Sequence, residues 1–266
     1  MKCIQYIHVS KSYENELLDW KDFISYESED VKLGKVIAFK LIEDTEKYNH
    51  LIKYLNINKI EYLIFRKDYK FNKKDIENAQ IYYLHLYKSI EQYFDHFTER
   101  ESCMKCHKKI NTLTKKVYLD KKIITKFDIF THYFGYEEII VSEKLKNIFE
   151  KEKVAGASFE PFLGENEGYY HLKLEETKMD LTEQSFSVKD GYCEVCKRYD
   201  TLLIYPLFYF NKSLYDNLDI FYTKEWFGDE KKTQGKSIII SKKLYMILKQ
   251  NSISNAEWSV HPAFLI

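Results

Sequence analysis

The chain has few of the residues that interrupt regular structure, with 3 prolines and 8 glycines among its 266 residues. A composition this poor in both leaves no room for a long flexible linker or a low-complexity segment. Net charge is also absent, because 41 basic residues balance 41 acidic ones. No overall field therefore draws the protein towards nucleic acid or an anionic membrane, and a partner must be recognised through a local patch.

Membrane and export signals are lacking as well. No apolar run approaches the ~20 residues that a membrane-spanning helix needs. The first nine residues alternate like a β-strand and show neither the apolar core nor the cleavage site of a signal peptide. The cytoplasm is therefore the expected location, where paired cysteines hold metal more often than they form disulfides.

The motifs of common catalytic sites are also missing. The sequence has no glycine-rich phosphate loop, no His-Glu-x-x-His helix and no Gly-x-Ser-x-Gly elbow. Asp128 and Asp219 precede Ile-Phe at matching places, and a pair of carboxylates invites an acid-base interpretation. We instead expect each of them to bond backbone amides or to cap a turn, and we expect the protein not to be an enzyme.

Four of the five cysteines form two Cys-x-x-Cys pairs, Cys103 with Cys106 and Cys193 with Cys196. Five randomly placed cysteines would give two such pairs in fewer than roughly 1 in 100 sequences. Two thiolates on one tight turn can hold one edge of a tetrahedron, so the two pairs together predict a structural Zn²⁺ site with four thiolate ligands. The fifth cysteine, Cys3, is expected to be a buried small hydrophobic residue.

Three other interpretations of the cysteine pairs are open. Cys103-x-x-Cys106-His107 matches the attachment motif of c-type haem, but Lys197 replaces the histidine in the second pair. A thioredoxin-like redox pair lies at the start of a helix, and neither pair precedes an obvious helix. The thiols could also be free of metal. Because four thiolates complete a zinc site, His107 is expected to lie outside the ligand set.

The sequences that follow the two cysteine pairs resemble each other. Each contains Asp-Ile-Phe, then an aromatic residue with glycine, a β-branched run ending in serine, an amphipathic segment and a proline. The landmarks are Asp128, Phe134, Ser142 and Pro161 in the first copy and Asp219, Phe227, Ser241 and Pro262 in the second. Matched landmarks in the same order indicate an internal duplication, with half of the metal site in each copy.

In each copy the pattern predicts a buried strand, a helix capped by serine and a second strand. Segments 82–86 and 169–172 also echo each other, so each copy is expected to begin with a strand before its cysteines. The predicted fold class is α+β, with duplicated strand-rich units that each carry a Cys-x-x-Cys knuckle and one capped helix, clamped by structural zinc. Residues 1–78 form an N-terminal α/β segment, open to interpretation as a degenerate repeat, followed by repeats at 79–164 and 165–266.

The two knuckles, the strand-serine-helix-strand pattern after each, and the lysine- and tyrosine-rich composition resemble the double-CXXCG immunity proteins of bacterial polymorphic-toxin systems. The resemblance covers residues 82–266 and rests mainly on the four paired cysteines, with Val141-Ser142 and Ile240-Ser241 in support. The chain departs from the family after each second cysteine, where His107 and Lys197 replace glycine. The resemblance implies structural cysteines and an antidote that blocks a cognate toxin by stoichiometric occlusion.

No motif marks the toxin-binding residues, so the candidate surface rests on charge. Residues 165–183 contain two lysines and six acids, which are Glu165, Glu167, Glu175, Glu176, Asp180 and Glu183. Such a surface could mimic phosphates towards a nuclease toxin, or it could be a solvated strand edge. The alternative function is a zinc-ribbon-type module that binds nucleic acid through basic stretches 105–122 and 231–243, against which the zero net charge argues.

Overall fold

The structure is a computed structural model of the chain that describes residues 1–31, 34–87, 89–90, 98–113, 126–132, 135–161, 168–204, 207–229, 233–253 and 257–266. Over these residues the fold is mixed α+β and rich in strand, with 43% strand and four helices, which confirms the strand-rich α+β part of the prediction. None of the helices in the described residues is both long and apolar enough to cross a membrane. The chain divides into two compact units, Met1–Glu77 and Asn78–Ile266.

The four helices are α1 (Glu46–Ile57), α2 (Lys73–Asn78), α3 (Glu143–Lys151) and α4 (Lys242–Gln250). The strands of the first half of the chain are β1 (Lys2–Ser10), β2 (Ile24–Val31), β3 (Gly34–Ile42), β4 (Tyr62–Lys70), β5 (Ile81–Leu86), β6 (Ser89–Ile90), β7 (Thr98–Ser102), β8 (Lys109–Leu113) and β9 (Ile129–His132). The remaining strands are β10 (Gly135–Ser142), β11 (Ala157–Pro161), β12 (Tyr169–Leu174), β13 (Phe186–Asp190), β14 (Thr201–Ile204), β15 (Tyr209–Phe210), β16 (Ile220–Tyr222), β17 (Phe227–Asp229), β18 (Thr233–Gly235), β19 (Ile238–Ser241) and β20 (Trp258–Leu265).

The first unit is an antiparallel sheet of order β2-β3-β1-β4 that shares a core with helix α1. Thr45 begins the helix, because its side chain accepts the N–H of Tyr48 and satisfies one of the unpaired amides of the first turn. Leu51 and Leu55 lie on one helical face and are completely buried in that core. Cys3 is buried as predicted, and burial raises the pKa of its thiol to about 11.

The second unit contains two modules, each formed by one sheet and one helix, and the two modules share the same strand arrangement. In the first module β10 lies between β9 and β12, β11 lies on the far side of β12, and α3 follows β10 directly. In the second module β19 lies between β16 and β5, β20 lies on the far side of β5, and α4 follows β19. All of these pairings are antiparallel. Residues 139–141 of β10 and 238–240 of β19 are buried on both faces, as their continuous β-branched runs predict.

One strand of each module comes from the opposite side of the sequence. Strand β5 precedes the first cysteine pair yet pairs with β19 and β20 of the second module. Strand β12 precedes the second cysteine pair yet pairs with β10 and β11 of the first module. Each sequence repeat was predicted to begin with a strand of its own, and the two modules instead exchange these strands. A sequence pattern marks a strand and its buried face but does not identify its neighbours.

The matched prolines occupy the same register in the two modules. Pro161 lies opposite Tyr170, and Pro262 lies opposite Tyr82. Both prolines lie on a strand outside the central pair of their module, where the missing N–H is tolerated. The two prolines, which match in the sequence, therefore also occupy equivalent positions in the two sheets.

Both module helices begin where the sequence predicts. The Ser142 side chain accepts the N–H of Leu145 at 3.2 Å, and the Ser241 side chain accepts the N–H of Leu244 at 3.1 Å. Leu145 and Leu244 are completely buried. Each cap thus fixes the first turn so that the apolar stripe of its helix enters the core.

Candidate metal centre

Each Cys-x-x-Cys pair lies at the end of an antiparallel hairpin. The first pair joins β7 to β8, and the second joins β13 to β14. In both, the N–H of the first cysteine donates across the turn to the carbonyl of the residue two places after the second cysteine. These bonds run from Cys103 to Lys108 at 3.0 Å and from Cys193 to Arg198 at 2.8 Å. The two knuckles therefore have the same backbone closure.

The residue after each second cysteine adopts the left-handed conformation that usually favours glycine. His107 has φ of 59° and Lys197 has φ of 58°. A residue with a side chain reaches this conformation at a cost of roughly 1–2 kcal/mol, so it persists only where the surrounding turn imposes it. The N–H of His107 donates to the Cys103 carbonyl at 2.8 Å, which holds the first turn. The knuckle turn is thus formed without glycine.

The two knuckles bring all four predicted ligands together. The sulfur atoms of Cys103 and Cys193 are 3.9 Å apart, and those of Cys106 and Cys196 are 3.5 Å apart. All four sulfur atoms lie within 4.8 Å of one another. In a tetrahedral site with Zn–S bonds of about 2.3 Å, sulfur atoms lie ~3.8 Å apart, so the observed spacing fits such an ion. The four residues could therefore coordinate a metal, and the exposed His107 does not belong to this group.

Backbone amides of the knuckles favour ionised sulfur. The N–H groups of Cys106 and then Lys105 lower the pKa of the Cys103 thiol to about 6. The N–H of Cys196 is the largest cause that lowers the pKa of Cys193, and burial opposes it. Burial raises the pKa of Cys196 to about 12, and the adjoining thiols add to the rise because neighbouring thiolates repel one another. A bound cation would remove that repulsion and allow all four sulfur atoms to ionise.

Two buried cations beside the knuckles were not anticipated from the sequence. The Lys108 side chain is 3% exposed, and its ammonium lies 2.6 Å from a carboxylate oxygen of Asp200. Arg198 is 4% exposed, and its guanidinium lies 3.6 Å from the centre of the Trp226 ring. The sequence does place a basic residue two positions after each second cysteine. The sequence does not show whether such a residue is buried, so this position alone could not predict a role at the site.

Asp219 accepts a backbone N–H, that of Ala155, as expected, whereas the Asp128 carboxylate accepts from side chains. Each accepts hydrogen bonds from the serine that caps its module helix and from the lysine two places after that serine. These bonds measure 2.6 and 2.7 Å at Asp128 and 2.8 and 2.6 Å at Asp219. Both carboxylates therefore tie a helix start to the neighbouring strand within their own module.

The acidic surface is more neutral than its sequence indicates. Glu165 and Glu167 lie outside the described residues, and Glu175 is exposed. Each of the other three acids forms an ion pair with a lysine: Glu176 with Lys236, Asp180 with Lys224 at 2.7 Å, and Glu183 with Lys189 at 2.7 Å. Such pairs contribute little stability at the surface, but they offset the charge of three of the six acids predicted there.

The basic stretches are also partly neutralised. Residues 114–122 and 231–232 of these stretches lie outside the described residues. Among the rest, three lysines pair with acids inside the second unit: Lys108 with Asp200, Lys236 with Glu176, and Lys243 with Asp219. Lysines held in this way offer less charge to a phosphate backbone. This disfavours the nucleic-acid interpretation of the stretches.

Comparisons of the chain with protein-family models, with curated proteins and with solved structures find no match. No relative therefore indicates a substrate, a partner or a cofactor.

Proposed function

We propose that the protein is an immunity protein that binds a cognate bacterial toxin and neutralises it by stoichiometric occlusion, on a scaffold held by one structural Zn²⁺. The convergence of two Cys-x-x-Cys knuckles, each followed by a left-handed residue, carries the proposal. That turn is the feature for which the double-CXXCG immunity proteins, which the sequence resembles, use glycine. His107 and Lys197 supply the same backbone and so support the resemblance where the sequence departs from it.

Zinc is the metal that the donor set favours. Four thiolates at tetrahedral spacing suit Zn²⁺ or an iron–sulfur centre, and four protein ligands leave no open position for a substrate. A closed site of this kind supports a fold rather than a reaction. The two halves of the site are 90 positions apart in the sequence, so the ion closes a long loop of the unfolded chain.

The architecture of the second unit suits a binding protein. We infer that its two modules arose by duplication, supported by their shared strand plan, serine caps and proline register. Exchanged strands and a shared ion would hold the modules in one arrangement. A rigid surface loses less conformational entropy when a partner binds, so more of the contact energy appears as affinity.

An occluding complex also sets requirements for the surface that contacts the toxin. A stable occluding complex buries ~1,600 Å² in total and uses aromatic anchors, for which the chain has 23 tyrosines. The acidic surface around Glu175 is the proposed contact for a toxin with a basic groove. Because three of its acids already pair with lysines, we expect it to contribute more to the rate and specificity of association than to affinity.

Co-expression with the toxin encoded by a neighbouring gene tests this proposal. Growth should recover in proportion to the amount of this protein, and purified components should form a complex of fixed stoichiometry. Cys193→Ser should lose protection, whereas Cys3→Ala, in the other unit, should keep it. Rescue at strongly substoichiometric amounts would indicate an enzyme, and binding to bulk DNA or RNA with a steep salt dependence would indicate the nucleic-acid module. Either result would overturn the occlusion mechanism.

A further inference from the structure

Lys108 lies in an unusual place for a lysine. Its side chain is almost completely buried, while lysine is rarely buried without an acidic partner. The ammonium pairs with Asp200. Burial lowers the pKa of Lys108, but Asp200 and charge interaction with Cys106 and Cys196, one from each knuckle, raise it overall. Its own carbonyl accepts the N–H of Cys103 and closes the first knuckle. One residue therefore contacts the backbone of the proposed metal site and places a positive charge beside it.

The net charge of the metal-filled site indicates a role for a buried cation at the position of Lys108. Four thiolates and one Zn²⁺ carry a net charge of −2, and net charge is unfavourable in a partly buried site unless an opposite charge is near. We propose that Lys108 is the residue that compensates this charge and so sets how tightly the four cysteines hold the metal. The inference rests on the proposed zinc site and assigns a role to a residue outside its ligand set.

Other cations near the knuckles are less suited to this role. Lys105 and Lys197 are exposed, so water and salt screen their charges. Arg198 occupies in the second knuckle the place of Lys108 in the first, but its guanidinium lies against the Trp226 ring. Among these residues, Lys108 is the buried cation that closes the first knuckle through its backbone and whose pKa is raised by cysteines of both knuckles.

Asp200 opposes the effect of Lys108 and provides a way to test it. Its side chain is 46% exposed and lies against Gly191, where a Cβ atom would meet an Asp200 carboxylate oxygen at 1.9 Å. Glycine at this left-handed position, with φ of 65°, therefore lets the carboxylate approach the hairpin. The carboxylate offsets part of the Lys108 charge. Its removal should leave the metal facing a stronger positive charge.

The experiment measures Zn²⁺ affinity by chelator competition in the full-length protein. Lys108→Met keeps the length of the side chain and removes its charge, and it should weaken Zn²⁺ binding by roughly 10–100-fold, the range for residues that support metal ligands. Lys178→Met removes a charge from an exposed position outside both knuckles and should leave the affinity unchanged. Equal affinities of Lys108→Met and the wild type would overturn the proposal.

Asp200→Asn separates charge from packing, because Asp200 is half exposed and the amide has the same shape. If Lys108 acts through its charge, this variant should bind Zn²⁺ more tightly than the wild type. If the Lys108–Asp200 pair only holds the hairpin together, Asp200→Asn should weaken binding as Lys108→Met does, and the proposal fails. Asp200→Asn decides the question even if Lys108→Met does not fold. A wild-type protein that binds no Zn²⁺ would instead refute the zinc site itself.

Discussion

The two modules share strands, helix and serine cap but hold their aspartates differently. In the first module, the N–H groups of Asp128 and the next residue donate to the carboxylate of Glu257 at 2.8 and 2.9 Å. In the second, the N–H groups of Asp219 and the next residue donate to the carbonyl of Ala155 at 2.9 and 3.2 Å. Ala155 and Glu257 each follow the helix of the opposite module. The contact is reciprocal in position and different in chemistry.

The second aspartate is also held more firmly. The Asp219 side chain is 9% exposed, against 19% for Asp128, and it accepts a further hydrogen bond from the N–H of Ala155 at 3.1 Å. Burial opposes its ionisation, but the bonds from Lys243, Ala155 and Ser241 outweigh burial and lower the pKa of Asp219. Modules with one plan can therefore depend on different interactions, and the same substitution at the two aspartates should not have the same effect.

The largest effect is expected where the modules depend on a common element, the metal centre. Cys193→Ser should lower the free energy of unfolding by more than ~4 kcal/mol, the range of substitutions that remove a metal or a large part of a core. Chemical denaturation with and without a strong chelator measures it. The chelator should destabilise the wild type and leave Cys193→Ser almost unchanged. A variant with wild-type stability would mean that the four thiols do not clamp the unit.

The second-largest effect is expected at Asp219 and Asp128, whose substitution tests the difference between the modules. Asp219→Ala should lower stability by ~3 kcal/mol, because it leaves the Ala155 N–H, the buried Ser241 hydroxyl and the Lys243 ammonium without their acceptor. Asp128→Ala removes fewer and more exposed bonds and should cost ~1 kcal/mol. Urea unfolding of both variants, saturated with zinc, measures the two values. Equal losses would show that the extra contact at Asp219 contributes nothing.

The response to pH should distinguish the carboxylates that secure the two modules. The pKa of Asp219 lies below its ordinary value of 3.8, so its stabilisation is present above that value and is lost as the pH falls through the folded-state pKa. Burial raises the pKa of Glu257 above 4.5, although the N–H groups of Ile129 and Asp128 oppose the rise. The folded protein thus keeps this proton longer than the unfolded chain, and Glu257 costs stability as the pH rises through that window.

Two variants with an uncharged amide measure these opposite effects of pH on stability. Asp219→Asn should lose stability relative to the wild type at neutral pH and approach it below pH 3.8. Glu257→Gln keeps an acceptor for the two N–H groups, and its stability relative to the wild type should increase as the pH rises above 4.5. Unfolding free energies over a pH series provide the comparison, and acid loss of zinc cancels because all the proteins share it. Parallel curves for the two variants would contradict the assignment.

The smallest difference is expected at the caps. Ser142→Ala and Ser241→Ala each remove one N–H acceptor from the first turn of a module helix, and each should cost ~1 kcal/mol. The two losses should agree, because the cap bonds have nearly the same length and the same partners. Thermal unfolding of the pair measures this. A much larger loss at Ser241 would show that the cap cannot be separated from its aspartate.

Local signals predicted the parts of the fold that depend on neighbouring residues. The cysteine pairs, Ser142, Ser241 and the buried β-branched runs were all identified from short patterns, because a knuckle, a cap or a buried strand is specified within a few residues. Exchange of β5 and β12 could not be predicted in this way, since a strand pattern does not name its neighbours. Lys108 was missed for a related reason. Its burial is created by strands and turns distant in the sequence, and its charge alone suggested exposure.

Metal analysis of the purified protein tests the central claim most directly. One knuckle offers two thiolates and a closed structural site needs four ligands, so the two knuckles should share one ion. Protein purified without chelator should therefore contain one equivalent of zinc per chain, and Cys193→Ser should contain almost none. Two equivalents per chain, or none in the wild type, would contradict a single zinc clamp at the centre of a binding protein.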